Sequence, residues 1–168
     1  MLNEESAEME IYETDAFGSL AAVPTRIIKL AAPDHYHYQE AGDHLYVGHL
    51  AKGLVQILDR KTGTEVGRIG KCPVLHGMAK DEASGRLFFA CMANVMVIGT
   101  RGAEKDQEVA RIPYPGKQRI AVFFNGRDRV LWKHGRRQSG DSPSGYGGSA
   151  VRIPDHSGRL VDSAGQQR

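Results

Sequence analysis

Between residues 23 and 134 the apolar side chains come in short runs, rich in Val, Ile, Leu, Phe and Tyr and separated by Gly, Asp, Asn, Ser and Thr. Short apolar runs bounded by turn formers predict strands joined as antiparallel hairpins. No stretch of this region combines a helical apolar period with caps, so no helix is expected there. The order is clearest from 76 to 112: a first strand over 76–80, a turn at Glu82-Ala83-Ser84-Gly85, a second strand over 86–92, a third over 94–100 and a fourth over 107–112. In the preceding unit, Asp59-Arg60-Lys61-Thr62-Gly63 joins the third and fourth strands. There Asp59 can cap the turn with its carboxylate, and Gly63 accepts a positive φ. Residues 54–58 and 95–98 are almost continuously apolar instead of alternating, which predicts strands covered on both faces.

The strands recur. Glu65-Val66-Gly67-Arg68-Ile69 returns 43 positions later as Glu108-Val109-Ala110-Arg111-Ile112, and Arg26-Ile27 precedes Arg68-Ile69 by 42. His44-Leu45-Tyr46-Val47, Arg86-Leu87-Phe88-Phe89 and Arg129-Val130-Leu131-Trp132 keep the same step. Leu54-Val55-Gln56-Ile57-Leu58-Asp59 is matched more weakly by Val95-Met96-Val97-Ile98-Gly99-Thr100. A four-stranded unit repeating at about 40–45 residues has the period of a β-propeller blade. Helical repeats lack their periodicity here, kelch units run to about 50 residues, and the Trp-Asp and Gly-His markers of WD-type blades are missing. The fold class is therefore read as all-β, an incomplete β-propeller of four-stranded antiparallel blades with disordered termini. Its divisions are an acidic flexible leader over 1–22, a partial propeller over 23–134 and a Gly/Ser/Arg-rich tail over 135–168.

The first full unit carries Leu45-Tyr46-Val47, then Val55-Gln56-Ile57-Leu58-Asp59, then Thr62-Gly63-Thr64-Glu65-Val66. In that order it resembles the YVTN-type propeller repeat, with its "LYV" strand, "V-x-V-I-D" strand and "TG-x-x-V" turn. The second unit repeats the first two elements as Arg86-Leu87-Phe88-Phe89-Ala90-Cys91 and Val95-Met96-Val97-Ile98, with Arg101-Gly102-Ala103-Glu104 in place of the Thr-Gly turn. The third keeps only Arg129-Val130-Leu131-Trp132. The resemblance spans residues 23–134 and implies a propeller with a binding or surface role, often in exported proteins; the family has few assigned catalytic residues, so the resemblance says little about activity.

Propellers usually have about four to eight blades, so a set this short leaves apolar faces and strand edges bare. Self-association through those faces is expected, or the chain is a truncated fragment of a longer propeller. After His134 an apolar third strand is due, but Gly135-Arg136-Arg137-Gln138-Ser139-Gly140 follows. Residues 135–168 hold seven Gly, six Ser and five Arg against one aromatic, Tyr146, too little apolar surface to offset the entropy of ordering. The abrupt change suggests a frameshifted continuation, a natural flexible tail being the alternative.

Composition narrows the class. With 40% hydrophobic and 25% charged residues, the chain is neither disordered throughout nor embedded in a membrane, and no run approaches the roughly 20 apolar residues of a membrane helix. The start, Met1-Leu2-Asn3-Glu4-Glu5, is acidic where a signal peptide would be basic, so a cytoplasmic location is expected for the sequence as written. The net charge of +2 conceals an uneven distribution. Glu4, Glu5, Glu8, Glu10, Glu13 and Asp15 stand in a leader without Lys or Arg, read as a solvated arm, while 23–134 is basic. That basic region has no stripe interleaved with exposed aromatics, and a nucleic-acid partner is not expected. Cys72 and Cys91 are too few for a disulfide framework and form no Cys-x-x-Cys pair; they are read as two half-buried thiols.

In an antiparallel blade, the loop entering each first strand shares a face with the turn between the second and third strands. That face holds Asp34 or His35, His76 and Arg119 at the starts of first strands, and His49, Cys91 and His134 at the ends of second strands, with Cys72 in a connecting loop. Imidazole and thiolate suit zinc, copper or iron, but ligands must converge to about 2.0–2.3 Å from one ion. Neighbouring blades are expected to hold equivalent positions too far apart for that, so neither metal nor cofactor is assigned. Arg119, Lys71 and Lys117 offer donors to an anion. Gly116-Lys117-Gln118 lacks the spacing of a phosphate loop and no Gly-x-Ser-x-Gly turn exists, so no catalytic residue is assigned. The resulting expectation is a non-catalytic binding or scaffold module that presents His35, His49, His76, Cys91, Arg119 and His134 to an unidentified protein or small molecule. The alternative is a fragment of a metal-dependent propeller hydrolase or lactonase using the His-bearing face, with Asp34 as its one well-placed carboxylate.

Overall fold

A computed structural model of the chain describes residues 1–18, 21–114, 120–125, 130–134 and 149–151. Among these residues the regular structure is β, with two short 3-10 turns at Thr14–Gly18 and Gly102–Glu104 and no α-helix. Strands β1 (Leu2–Asn3), β2 (Glu8–Ile11) and β3 (Arg26–Lys29) form one antiparallel sheet. β4 (Tyr36–Ala41), β5 (His44–His49), β6 (Leu54–Asp59) and β7 (Glu65–Ile69) form a four-stranded meander, and β8 (Met78–Asp81), β9 (Arg86–Ala90), β10 (Asn94–Gly99) and β11 (Glu108–Pro113) form another. β12 (Ile120–Asn125), β13 (Val130–His134) and β14 (Ser149–Val151) complete a three-stranded sheet.

The first strand of each meander packs beside its counterpart: β8 lies against β4 on one side and β12 on the other. Successive sheets therefore share an inner edge and fan outwards as propeller blades. The apolar runs follow from this stacking. In β9 and β10, Leu87, Phe89, Met96 and Ile98 face the preceding blade's Tyr46, Val55 and Ile57. Their sequence neighbours Phe88, Ala90, Val95 and Val97 face the other way, where Phe123 packs against them. In β5 and β6, Leu45, Val47 and Leu58 meet Met9 and Ile28 of the first sheet. Each of the two four-stranded blades is thus covered on both faces, and the double burial expected of residues 54–58 and 95–98 holds.

The repeat also survives as irregularity. β6 and β7 shift register between Ile57 and Leu58, and β10 and β11 do so between Val97 and Ile98. The Thr-Gly turn forms as read: Asp59 Oδ1 accepts from the Thr62 backbone N–H at 2.7 Å and from its hydroxyl at 2.9 Å, and Gly63 has φ 75°. A Cβ there would lie 2.8 Å from Ile28 Cγ1, so the position also needs a residue without a side chain.

Both ends of the chain contribute strands. Residues 1–22 are not a free arm throughout, because Leu2–Asn3 and Glu8–Ile11 pair into the first sheet. Its acidic composition hides a period of two: Glu8 and Glu10 alternate with Met9 and Ile11, and Met9 is buried in the core while Glu8 bonds to Lys29 across the strands. In the tail, Ser149–Val151 pairs with β13; the remainder of 135–168 lies outside the described residues.

Candidate functional site

β4 and the loop entering β8 bring three imidazoles together. In the extended chain that opens β4, His35 and His37 stand two residues apart and so point to the same side, while Tyr36 points into the core, its ring edge-on to His49 at 5.0 Å between centroids. Asp34 fixes this entry. Its carboxylate accepts backbone N–H bonds from His35 (2.7 Å), Ala51 (2.8 Å) and Lys52 (2.9 Å), tying the loop before β4 to the turn after β5. Burial acts to raise the Asp34 pKa, but those three donors bring it below the ordinary carboxylate value.

His76 comes from the loop joining β7 to β8. That loop runs through non-glycine residues with positive φ, Lys71 at 64° and Val74 at 53°, conformations that a β-branched residue adopts only when its surroundings impose them. The constraint is visible. Cys72 and Cys91 form a disulfide with Cα atoms 4.7 Å apart, both fully buried, and Met92 N–H donates to Pro73 O at 2.8 Å. His76 N–H donates to Ala90 O at 2.9 Å, and Ala90 N–H to Gly77 O at 3.1 Å, so the pairing of β8 with β9 continues back to the histidine. The reading of two independent thiols is corrected: 19 residues separate the cysteines, but the blade's hairpin returns one beside the other.

His35, His37 and His76 each place a ring nitrogen within 4.8 Å of the other two. The ring centroids of His35 and His37 are 5.1 Å apart, those of His37 and His76 5.0 Å, and those of His35 and His76 5.7 Å. His37 Nε2 and His76 Nδ1 are buried without a hydrogen-bond partner. Burial, followed by the neighbouring His76 and His35, pushes the His37 pKa below its ordinary value, which favours the neutral ring with a free lone pair. Beside the group, Glu4 in the β1–β2 turn places Oε1 2.6 Å from His35 Nδ1.

The expectation that neighbouring blades hold their loop residues too far apart to share an ion therefore fails for His35 and His76. Both sit at the inner edge, where the blades are closest. Tetrahedral zinc has nitrogen ligands about 3.3 Å from one another, against separations of up to 4.8 Å among these ring nitrogens.

The other candidate residues are not part of this group. His49 lies at the same end of its blade but is fully buried, its Nε2 3.2 Å from Gln56 Oε1 and its Nδ1 3.9 Å from Asp34 Oδ2. Cys91 is consumed by the disulfide. Lys71 belongs to the constrained loop, and its carbonyl accepts a hydrogen bond from Arg111. His134 ends β13 opposite Ile120, and its side chain lies outside the described residues, as do Arg119 and Lys117. His37 was missed by sequence reasoning. The signal was present in His35-Tyr36-His37, since alternate residues of an extended chain share a side.

Four-stranded antiparallel sheets fanning from adjacent inner strands define the chain as a β-propeller fold. Solved propeller structures similar to it include dihydro-heme d1 dehydrogenase NirN in complex with DHE, with a TM-score of 0.62, 13% identity and coverage of 79% of this chain and 29% of that one. Apo AztD from Citrobacter koseri gives 0.55 and 16%, covering 79% and 38%, and U3-55K gives 0.57 and 13%, covering 79% and 41%. The chain thus spans well under half the length of these proteins, and at such identities the likeness is one of fold. No family model matches the chain, and no curated protein matches it in sequence.

Proposed function

We propose that this chain is a binding module that holds a divalent transition-metal ion, zinc(II) above all, on the loop face of its propeller through His35, His37 and His76. The observation that carries this reading is the convergence of three ring nitrogens from two blades, with buried nitrogens on His37 and His76 that lack hydrogen-bond partners. Buried polar atoms are almost always satisfied, and an ion bound by all three rings would satisfy them. Imidazole is a borderline donor that suits zinc(II) and copper(II), and three such ligands with a fourth position left to solvent or to an incoming donor form an open site.

The binding reading is favoured over the hydrolase reading by Asp34. That carboxylate, the one sequence reasoning offered to a catalytic metal, spends its oxygens on three backbone N–H groups and lies on the far side of the strand from the imidazoles, beside His49. An oxidising compartment would suit a buried Cys72–Cys91 disulfide better than the cytoplasm. The YVTN-type resemblance agrees with a binding role.

Calorimetric titration of the purified chain with zinc chloride tests the proposal. One ion should bind per chain, and His35→Ala, His37→Ala and His76→Ala should each weaken binding at least about 10-fold while circular dichroism remains that of the parent. Zinc binding that is substoichiometric, or that survives in the triple variant, would overturn it.

A further inference from the structure

Glu4 is separated from the imidazoles by 31 residues of sequence or more, yet its carboxylate stands against His35. Its position is built. The β1–β2 turn is closed by Ser6 N–H donating to Asn3 Oδ1 at 3.2 Å and by Glu10 N–H donating to Met1 O at 2.8 Å, and Leu30 N–H donates to Ala7 O at 2.8 Å where the chain leaves β3 towards the site. In propeller terms, a turn of the first sheet and the loop entering the next blade share a face, so Glu4 is delivered to the same face as the histidines.

We infer that Glu4 is a positioning residue for the metal site, selecting the tautomer of His35. The inference rests on the three-histidine reading above. A neutral imidazole carries one proton, and the nitrogen that holds it cannot bind a metal. An ionised carboxylate only accepts hydrogen bonds, so the 2.6 Å contact places the proton on Nδ1 and leaves the lone pair on Nε2. Unlike His37, His35 is exposed, and the ring contacts that hold it come from the other two imidazoles, so the carboxylate adds a hydrogen bond that those contacts do not supply. That bond orients the ring and makes it a better donor, as carboxylates hydrogen-bonded to ligand histidines do in metal sites generally. A further consequence is that the ion ties the first sheet to the blade that follows it. Glu4 is joined to the site through His35, which lies one residue before β4.

Two measurements test the inference separately from the site itself. In the metal-free chain, long-range proton–nitrogen NMR under conditions where the ring is neutral should show His35 as the Nδ1–H tautomer, shifting to a mixture in Glu4→Ala. A mixture already present in the parent would overturn the role of Glu4 while leaving zinc binding intact. With metal, Glu4→Ala should weaken zinc binding about 10- to 100-fold and Glu4→Gln, which keeps an accepting oxygen, by less. In a His35→Ala background the Glu4→Ala penalty should vanish. The visible spectrum of the cobalt(II)-loaded chain should be the same in the parent and in Glu4→Gln. A shifted spectrum would make Glu4 a direct ligand and overturn positioning, as would a Glu4→Ala penalty undiminished without His35. Absence of zinc binding in the parent would remove both the site and the inference.

Discussion

The phenol of Tyr46 donates to Asp106 Oδ1 at 2.6 Å, joining the second strand of one blade to the turn before the last strand of the next. His44 Nδ1 lies 2.9 Å from the same oxygen, so a single carboxylate gathers two side chains of β5. Burial, and then the Asp106 bond, push the Tyr46 pKa far above that of a free tyrosine. A raised pKa favours the folded state fully below the unfolded value of about 10, and this contribution falls as pH climbs past that point, because only the unfolded chain gains the ionised form. Tyr46→Phe should therefore cost about 1.5–3 kcal/mol near neutrality and flatten the loss of stability between pH 9 and 11. Urea denaturation across that range, parent against variant, reads both effects.

The disulfide should stabilise the fold and shape the site together. Closing a loop of 19 residues removes unfolded-state entropy worth roughly 3 kcal/mol. Reduction, or Cys72→Ala with Cys91→Ala, should lower the unfolding midpoint accordingly and weaken zinc binding by releasing the strained loop that carries His76. Thiol titration of the folded, unreduced chain should find no free cysteine. An unfolding midpoint unchanged by reductant would contradict this account.

Val97 lies between two blades and is 5% exposed. Val97→Asp buries an unpaired carboxylate, at a cost of several kcal/mol. Val97→Ala, a smaller excision, should cost about 1–3 kcal/mol. A Val97→Asp chain that melts with the parent would place the residue outside any seam.

Zinc should stabilise the folded chain by linkage, since the three histidines converge only when β4 and β8 are docked. At a free concentration 100 times the dissociation constant the gain is about 2.7 kcal/mol. Thermal melts with and without chelator should show it in the parent and lose it in His76→Ala.

Much of the architecture was legible because its signals are local. Phe88-Phe89, Val95 to Ile98 and Asp59 with Gly63 each state a strand, a double burial or a turn within a few residues, and the repeat set their order. The first sheet was obscured because Glu8 and Glu10 dominated a segment whose folding decision rests on Met9 and Ile11, and a charge count does not see alternation. The site was half legible. His35 and His76 follow from the face rule, but their approach depends on how near adjacent blades come at their inner edge, a tertiary distance absent from any local pattern. The Cys72–Cys91 pairing likewise depends on the return of the β8–β9 hairpin.

Phe88 and Phe89 are consecutive residues that belong to different seams, and this sets a grammar for change in the chain. Deleting one residue inside β9 would exchange the two rings and send the side chains beyond them to the wrong neighbour. Insertions have room only in the punctuation between strands. The two full blades obey this: residues 50–53 separate β5 from β6 while 91–93 separate β9 from β10, and 60–64 precede β7 while 100–107 precede β11. A designer lengthening this molecule, or grafting a second ligand beside His76, would have to write in those intervals and leave the words between them untouched.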